Sequence, residues 1–243
     1  MNAISKGAAL LAALVLLFGW APAQAGTITG TWSAHRTARG VELNLSSDAD
    51  IHTMHWQETL HLDGAPSTAN FTLRREAGTI VLSGTVGNGT GSGQFTFTPS
   101  DAFVAGLSSR GLRYDNDHDL LSAASVDLTL QYIDAMRGDG YPNLPFGDLL
   151  AFRAVGVTAA SLADLRSVFG QISAENVIAT TALHVTRSYV DELADMGYRG
   201  MSPDDIVAFK SMHIDRAYLQ HLAAHGLKNL SGQQVIEMKA SGL

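Results

Sequence analysis

Past an apolar leader, hydrophobic residues first recur every second position and then switch to helical spacing. Between residues 26 and 99 the period is two. Val41, Leu43 and Leu45 alternate with polar neighbours, as do Phe71 and Leu73, Ile80 and Leu82, and Phe95 and Phe97. Gly, Asn, Asp and Ser clusters separate these runs, which is how strands are punctuated. The clearest pair covers 79–86 and 94–98, joined by Gly87-Asn88-Gly89-Thr90-Gly91-Ser92-Gly93, a connection suited to a hairpin tip. No helix or Lys follows it, so it does not read as a phosphate-cradling loop. About six strands fit this region, which predicts a small antiparallel β-sandwich or barrel.

From residue 100 the period changes and the chain repeats itself. Segments beginning at Ser100, Thr129, Thr158, Thr186 and Asp215 align, with starts 29, 29, 28 and 29 residues apart. Each opens on a residue whose side-chain oxygen can cap the free amides of a helix N-terminus. Three positions on stand Phe103, Tyr132, Ser161, Tyr189 and Tyr218, followed by Val104, Ile133, Leu162, Val190 and Leu219. Seven on stand Leu107, Met136, Leu165, Leu193 and Leu222, so the apolar positions share one helical stripe. Eleven on come Gly111, Gly140, Gly197 and Gly226, where a left-handed cap would end the helix. The Thr158 copy departs, with Phe169 there and Gly170 one later.

A second set of helices interleaves, starting at Asn116, Pro145, Ser173, Ser202 and Ser231, with Leu120, Leu149, Val177, Ile206 and Val235 in equivalent apolar places. Ser202-Pro203-Asp204-Asp205 and the capping box Ser231-Gly232-Gln233-Gln234 are strong start signals. Helices of two to three turns are marginal alone and need neighbours. Residues 100–243 therefore predict an α-solenoid of about 4.5 repeats of about 29 residues. The expected fold class is α+β in two domains, 26–99 and 100–243.

The leader predicts export. Lys6 precedes an almost wholly apolar run at 8–20, and Ala23-Gln24-Ala25 has the small–x–small form of a cleavage site, so 1–25 reads as a signal peptide cut before Gly26. The run is too short to span a bilayer, which needs about 20 apolar residues. No Cys follows the cut to carry a lipid, and no later segment has a transmembrane pattern. The expected address is a bacterial periplasm or the exterior.

The units LLAFRAVGVTAASLADLRSVF, ATTALHVTRSYVDELADMGY and AFKSMHIDRAYLQHLAAHGL resemble short helical repeats of certain bacterial exported proteins. Similar repeats are appended to antirepressor-type sensor peptidases, the BlaR1-like group. GTWSAHRTARGVELNLSS and REAGTIVLSGTVGNGTGSGQFTFTP are similar to the β-region that accompanies them. The likeness covers roughly residues 26–243. The peptidase motif His-Glu-x-x-His is absent here, so the resemblance implies an extracytoplasmic recognition role and no proteolysis.

Composition narrows the chemistry. The 243 residues are 46% hydrophobic and 16% charged, with a formal charge of −7 and no Cys. Disulfides, thiolate nucleophiles and Cys-type zinc sites are excluded. The helix–Gly156-Val157-Thr158–helix junction has the outline of a helix–hairpin–helix DNA binder, but 100–243 holds 11 basic and 17 acidic residues, which disfavours phosphate binding. Asp115-Asn116-Asp117-His118-Asp119 starts like a calcium loop, yet Leu120 and Val126 stand where Gly and Glu are required, and the run fits a cap and an acidic first turn better. His221 and His225, four apart and near His213, have metal-ligand spacing without a third ligand. His184 and His213 repeat at one turn position, where Asp127 and Gly156 stand in other copies, which indicates a local packing or hydrogen-bonding role. His52, His55 and His61 gather around Trp56 and Glu58, with His55 and His61 on one face if a single strand carries both. Tyr132, Tyr189 and Tyr218 read as core with hydroxyls at the rim, an aromatic stacking row being the sharper alternative.

No catalytic, cofactor-binding or metal-binding residue is assigned. The pattern points to a non-enzymatic interaction or scaffolding module whose partner is another envelope protein, with no cofactor. The alternative is a periplasmic protein that binds a small ligand or metal through its β-domain.

Overall fold

The structure is a computed structural model, and it describes residues 26–38, 40–48, 50–56 and 61–242. The expected signal peptide lies outside the described residues. Six strands, β1 (Ile28–Thr37), β2 (Gly40–Ser46), β3 (Ile51–Trp56), β4 (Ser67–Arg75), β5 (Gly78–Gly87) and β6 (Thr90–Pro99), form one antiparallel sheet in the order β3-β2-β1-β6-β5-β4. The period-two pattern becomes a buried face. Val41, Leu43 and Leu45 are buried on β2, Ile80 and Leu82 on β5, and Phe95 and Phe97 on β6.

One expectation fails inside the sheet. The glycine-rich connection is not a seven-residue tip, because the turn is Asn88-Gly89 alone and β6 already begins at Thr90. Both turn residues have positive φ, 54° and 80°, as a two-residue type I′ hairpin demands. Gly91 and Gly93 lie within the strand for a packing reason. Trp32 of β1 is buried across β6, and its indole N–H donates to the Ser83 carbonyl at 3.1 Å. A Cβ at Gly91 would stand 2.8 Å from the indole ring. Two strands of different origin share that space, so the requirement for glycine could not be seen locally.

Ten helices follow: α1 (Asp101–Ser109), α2 (Asp117–Ser125), α3 (Leu130–Gly138), α4 (Phe146–Val155), α5 (Ala159–Phe169), α6 (Ala174–Ala182), α7 (Arg187–Asp195), α8 (Pro203–Ser211), α9 (Arg216–Ala224) and α10 (Gly232–Ala240). They make five pairs, unit one being α1–α2 and unit five α9–α10, with α10 completing a pair beyond the expected 4.5 repeats. Every expected start residue is the N-cap. Nine of the ten side chains accept a first-turn amide; Pro145 has no oxygen with which to do so. Gly111, Gly140, Gly197 and Gly226 all take positive φ. After Gly111, Gly197 and Gly226 the next amide reaches back across the turn, Leu112 to the Leu107 carbonyl, Tyr198 to that of Leu193 and Leu227 to that of Leu222, the Schellman closure. Four second helices end the same way through Asp127, Gly156, His184 and His213, all at positive φ.

The stripe residues are buried as expected: Leu120, Leu149, Val177, Ile206 and Val235 are each 0% exposed. Second helices pack on second helices, α4 on α6, α6 on α8 and α8 on α10, while α1 meets α3 and α5 meets α7. The sheet joins this series through α2, which packs on β3, β5 and β6. The apolar core does not divide at residue 100. One cluster runs from Ile28 through the sheet to Val177 of α6, and a second, smaller one runs from Tyr189 to Val235. Half-buried Phe169 touches both. The division of the apolar core therefore falls between units three and four, although α6 still packs on α8 across it.

Candidate functional site

Units two and four carry the same constellation. Tyr132 donates its hydroxyl to the Val157 carbonyl at 2.9 Å, and Tyr189 donates to the Ile214 carbonyl at 2.7 Å, each 25 residues on and one before the next cap. A cation covers each ring: Arg153 lies 5.5 Å from the Tyr132 centroid and Lys210 lies 4.5 Å from that of Tyr189. Unit five repeats the pairing, with Lys239 4.1 Å from the Tyr218 ring. Beneath them, Tyr141 meets Phe152 edge-on at 5.6 Å, and Tyr198 meets Phe209 at 5.5 Å. Burial raises the Tyr132 pKa to about 12, the Arg153 charge opposing it only in part. Burial raises that of Tyr189 still further, with help from Asp215 and Glu192. These phenols are neutral donors at any ordinary pH. The structure thus makes the tyrosine row an inter-unit fastening, buried or half-buried, and does not display it as an open stacking surface.

Unit three keeps only part of the set. In the same register Ser161 stands for the upper tyrosine, Phe169 for the lower one, Thr180 for the phenylalanine and Thr181 for the cation. Between α5, α6 and the start of α7 lies a half-open cavity of about 430 Å³, and one of about 690 Å³ lies at the equivalent place in unit four beside Tyr189, Lys210 and Ile214. Both volumes fall in the range of small-ligand sites, about 300–1,000 Å³. The apolar wall of the first is Leu165, Val168, Phe169 and Val190, and exposed Asp164, His184 and Arg187 stand at its rim. Ser161, Thr181 and Val185 also line it, the last being the counterpart of the two residues whose carbonyls accept tyrosine hydroxyls elsewhere. The Thr181 hydroxyl oxygen is buried without a hydrogen-bond partner. An arginine link is missing at the same place. Arg137 of unit two bonds the Arg110 carbonyl at the end of α1, and Arg166 of unit three bonds the Asp139 carbonyl, but unit four has no arginine in that register.

The other candidate residues do not converge. His221 and His225 stack with ring centroids 4.3 Å apart, and the His225 Nδ1 lies 2.9 Å from the His221 carbonyl oxygen, which occupies it at the helix end. His184 and His213 are left-handed turn residues, a conformation in which His is enriched. In the acidic run, Asn116 caps His118, Asp119 accepts the Asp115 amide at 2.7 Å, and Asp117 accepts the Gly26 amide at 2.6 Å. The Asp117 and Asp119 carboxylates are thus engaged by backbone amides, one from the start of the sheet and one from the neighbouring turn. His52 is buried between sheet and α2, its Nδ1 3.4 Å from the Ser122 hydroxyl. Burial lowers its pKa, Asp50 opposing and His118 assisting. The side chains of His55 and Trp56, and Glu58 altogether, lie outside the described residues; β3 ends at Trp56 and exposed His61 lies beyond it, so no one strand carries both histidines. Among the described residues no group of three His, Asp or Glu side chains is placed to hold a metal ion.

Ser161 stood out in the sequence, but Thr181 and Val185 did not. Carrying the register as far as Arg153, Thr181, Lys210 and Lys239, at steps of 28, 29 and 29, would have exposed the missing cation. Comparison with protein-family models, with curated proteins and with solved structures gave no match.

Proposed function

We propose that the protein is an exported, non-enzymatic interaction or scaffolding module of the bacterial envelope, its helix pairs forming a short α-solenoid. The observation that carries this reading is the serial packing of like helices, α4 on α6 on α8 on α10, which builds one extended flank from equivalent positions. The likeness to repeats appended to sensor peptidases favours a partner in envelope sensing. In the same reading the sheet is a small barrel-like or sandwich-like domain, curled so that the segment after β3 reaches the opposite hairpin. The Gly64 carbonyl accepts the Asn88 amide and the Leu62 carbonyl accepts the Gly89 amide, both at 2.9 Å.

Cleavage before Gly26 fits this reading chemically. The new α-ammonium would replace an amide already 2.6 Å from the Asp117 carboxylate, turning a hydrogen bond into an ion pair. Mass spectrometry of the protein recovered after osmotic shock should give a chain starting at Gly26; an intact Met1 would refute export by this route. In-cell cross-linking followed by purification should recover one envelope protein in every independent preparation. Recovery of the uncross-linked chain alone would overturn the interaction role.

A further inference from the structure

The cavities of units three and four are one feature repeated. Counterpart residues line them, Asp164 and Glu192, His184 and His213, Val185 and Ile214, and Thr186 borders both. A third, shallower depression of about 580 Å³ lies between α7 and the start of α9. It shares Arg187 with the first cavity and Ser188 and Glu192 with the second, so the three ring the first turn of α7 without a break. We propose that they form a furrow for an extended, polyproline-type segment of a partner protein, with an apolar side chain in unit three and a Lys or Arg side chain one unit on. This deepens the interaction reading and rests on it. The spacing fits, because α5 packs on α7 and helices so packed lie about 8–10 Å apart. A polyproline-type chain returns a side chain to the same face every three residues, about 9 Å. The apolar anchor is called for by Leu165 and half-buried Val168 and Val190 in the first cavity. The basic one is called for by charge. The cations of the furrow are engaged within the chain: Lys210 lies over the Tyr189 ring, Arg216 bonds Glu192 at 3.1 Å, and Arg187 donates to the Ser167 hydroxyl. The exposed carboxylates of Asp191 and Asp195, one turn apart on α7, have no partner among the described residues. They leave the far end of the furrow negative, in a helical region that is itself acidic.

Selection of a random twelve-residue peptide library on the full-length protein tests it, followed by protein-observed NMR with the enriched peptide. Enriched sequences should carry an apolar residue three positions from a Lys or Arg, and the peptide should shift Val168, Val190 and Asp191. Asp191→Lys combined with Asp195→Lys, both on the exposed side of α7, should weaken that peptide about fivefold, the value of one exposed ion pair. Added salt should weaken it too. Val168→Glu should abolish binding, whereas Glu175→Lys, in the first turn of α6 at the opposite end from the furrow, should leave it unchanged. The NMR mapping uses the unmodified chain and holds whatever the variants do to folding. No enriched sequence, enrichment of acidic sequences, or shifts confined to other surfaces would each overturn the proposal. The same furrow shifts on concentrating the protein alone would assign the surface to a second copy and overturn it as well. A partner cross-linked in cells together with peptide shifts elsewhere would remove the furrow and leave the interaction role, so the two failures are distinguishable.

Discussion

Units two and four solve one packing problem with one set of side chains, and unit three, lying between them, does not attempt it. All three share helix starts in one register and the buried Leu149, Val177 or Ile206, although α5 runs to eleven residues where α3 and α7 have nine. They differ most where one unit must grip the next. A fold of this kind can therefore keep its backbone rhythm while losing a fastening, because capping and stripe burial are properties of a helix and fastening is a property of a pair. The consequence is a molecule in two parts: the sheet with α1 to α6 around one core, and α7 to α10 around another. The larger core is anchored on a sheet, whereas the smaller one rests on Tyr189, Phe209 and a few aliphatic residues.

The largest expected effect comes from removing matched aromatics on either side of that seam. Phe209→Ala and Phe152→Ala each empty a fully buried site and should cost about 3–5 kcal/mol. If the cores are separate, Phe209→Ala strips hydrogen-exchange protection from α7 to α10 and leaves α4 protected, while Phe152→Ala acts on the sheet-bound part. Equal loss throughout the chain in both variants would show a single cooperative unit.

A smaller change tests the fastening itself. Tyr189→Phe and Tyr132→Phe leave the Ile214 or Val157 carbonyl without its donor, at about 1–2 kcal/mol each in denaturant titrations followed by circular dichroism. The effect at Tyr189 should be the larger, since it is the more buried ring. Identical denaturation of variants and parent would mean that the hydroxyls fasten nothing.

Acid should separate the two parts in another way. His52 sits at the seam between sheet and α2, facing His118 and Asp50, and burial holds its pKa below the usual 6.5. The folded chain then binds fewer protons than the unfolded one, so stability is full above pH 6.5 and declines as the pH falls through and below it. Melting of the sheet-bound part should drop over that window and His52→Gln should flatten the drop; a slope unchanged by the substitution would exclude His52 as its source.

The smallest effect belongs to the terminus. Asp117→Asn in the chain cleaved before Gly26 should cost less than about 1 kcal/mol, because the pair is exposed, and the loss should shrink in high salt. A salt-independent loss would mean that no ion pair forms there.

Much of the helical part was legible because its signals are local. A cap needs only a side-chain oxygen at Ser100 or Thr129, a Schellman close only Gly111 or Gly197, and burial only a stripe at offsets four and seven. The candidate site was half legible. Ser161 broke the register visibly, but Thr181 matters only because a residue in the next helix elsewhere covers a ring. Gly91 was misread as a turn for the same reason: the indole that excludes its side chain comes from β1, some sixty residues earlier.

By itself, the order of residues determined the two periods, the ten helix starts and the residues that would be hidden, since each follows from hydrogen bonds and hydrophobic spacing within a few turns of chain. Only the tertiary structure decided which hydroxyl meets which carbonyl, and where one core ends and the next begins. Those outcomes depend on groups some 25 residues apart meeting in space, and no short-range energy encodes that meeting.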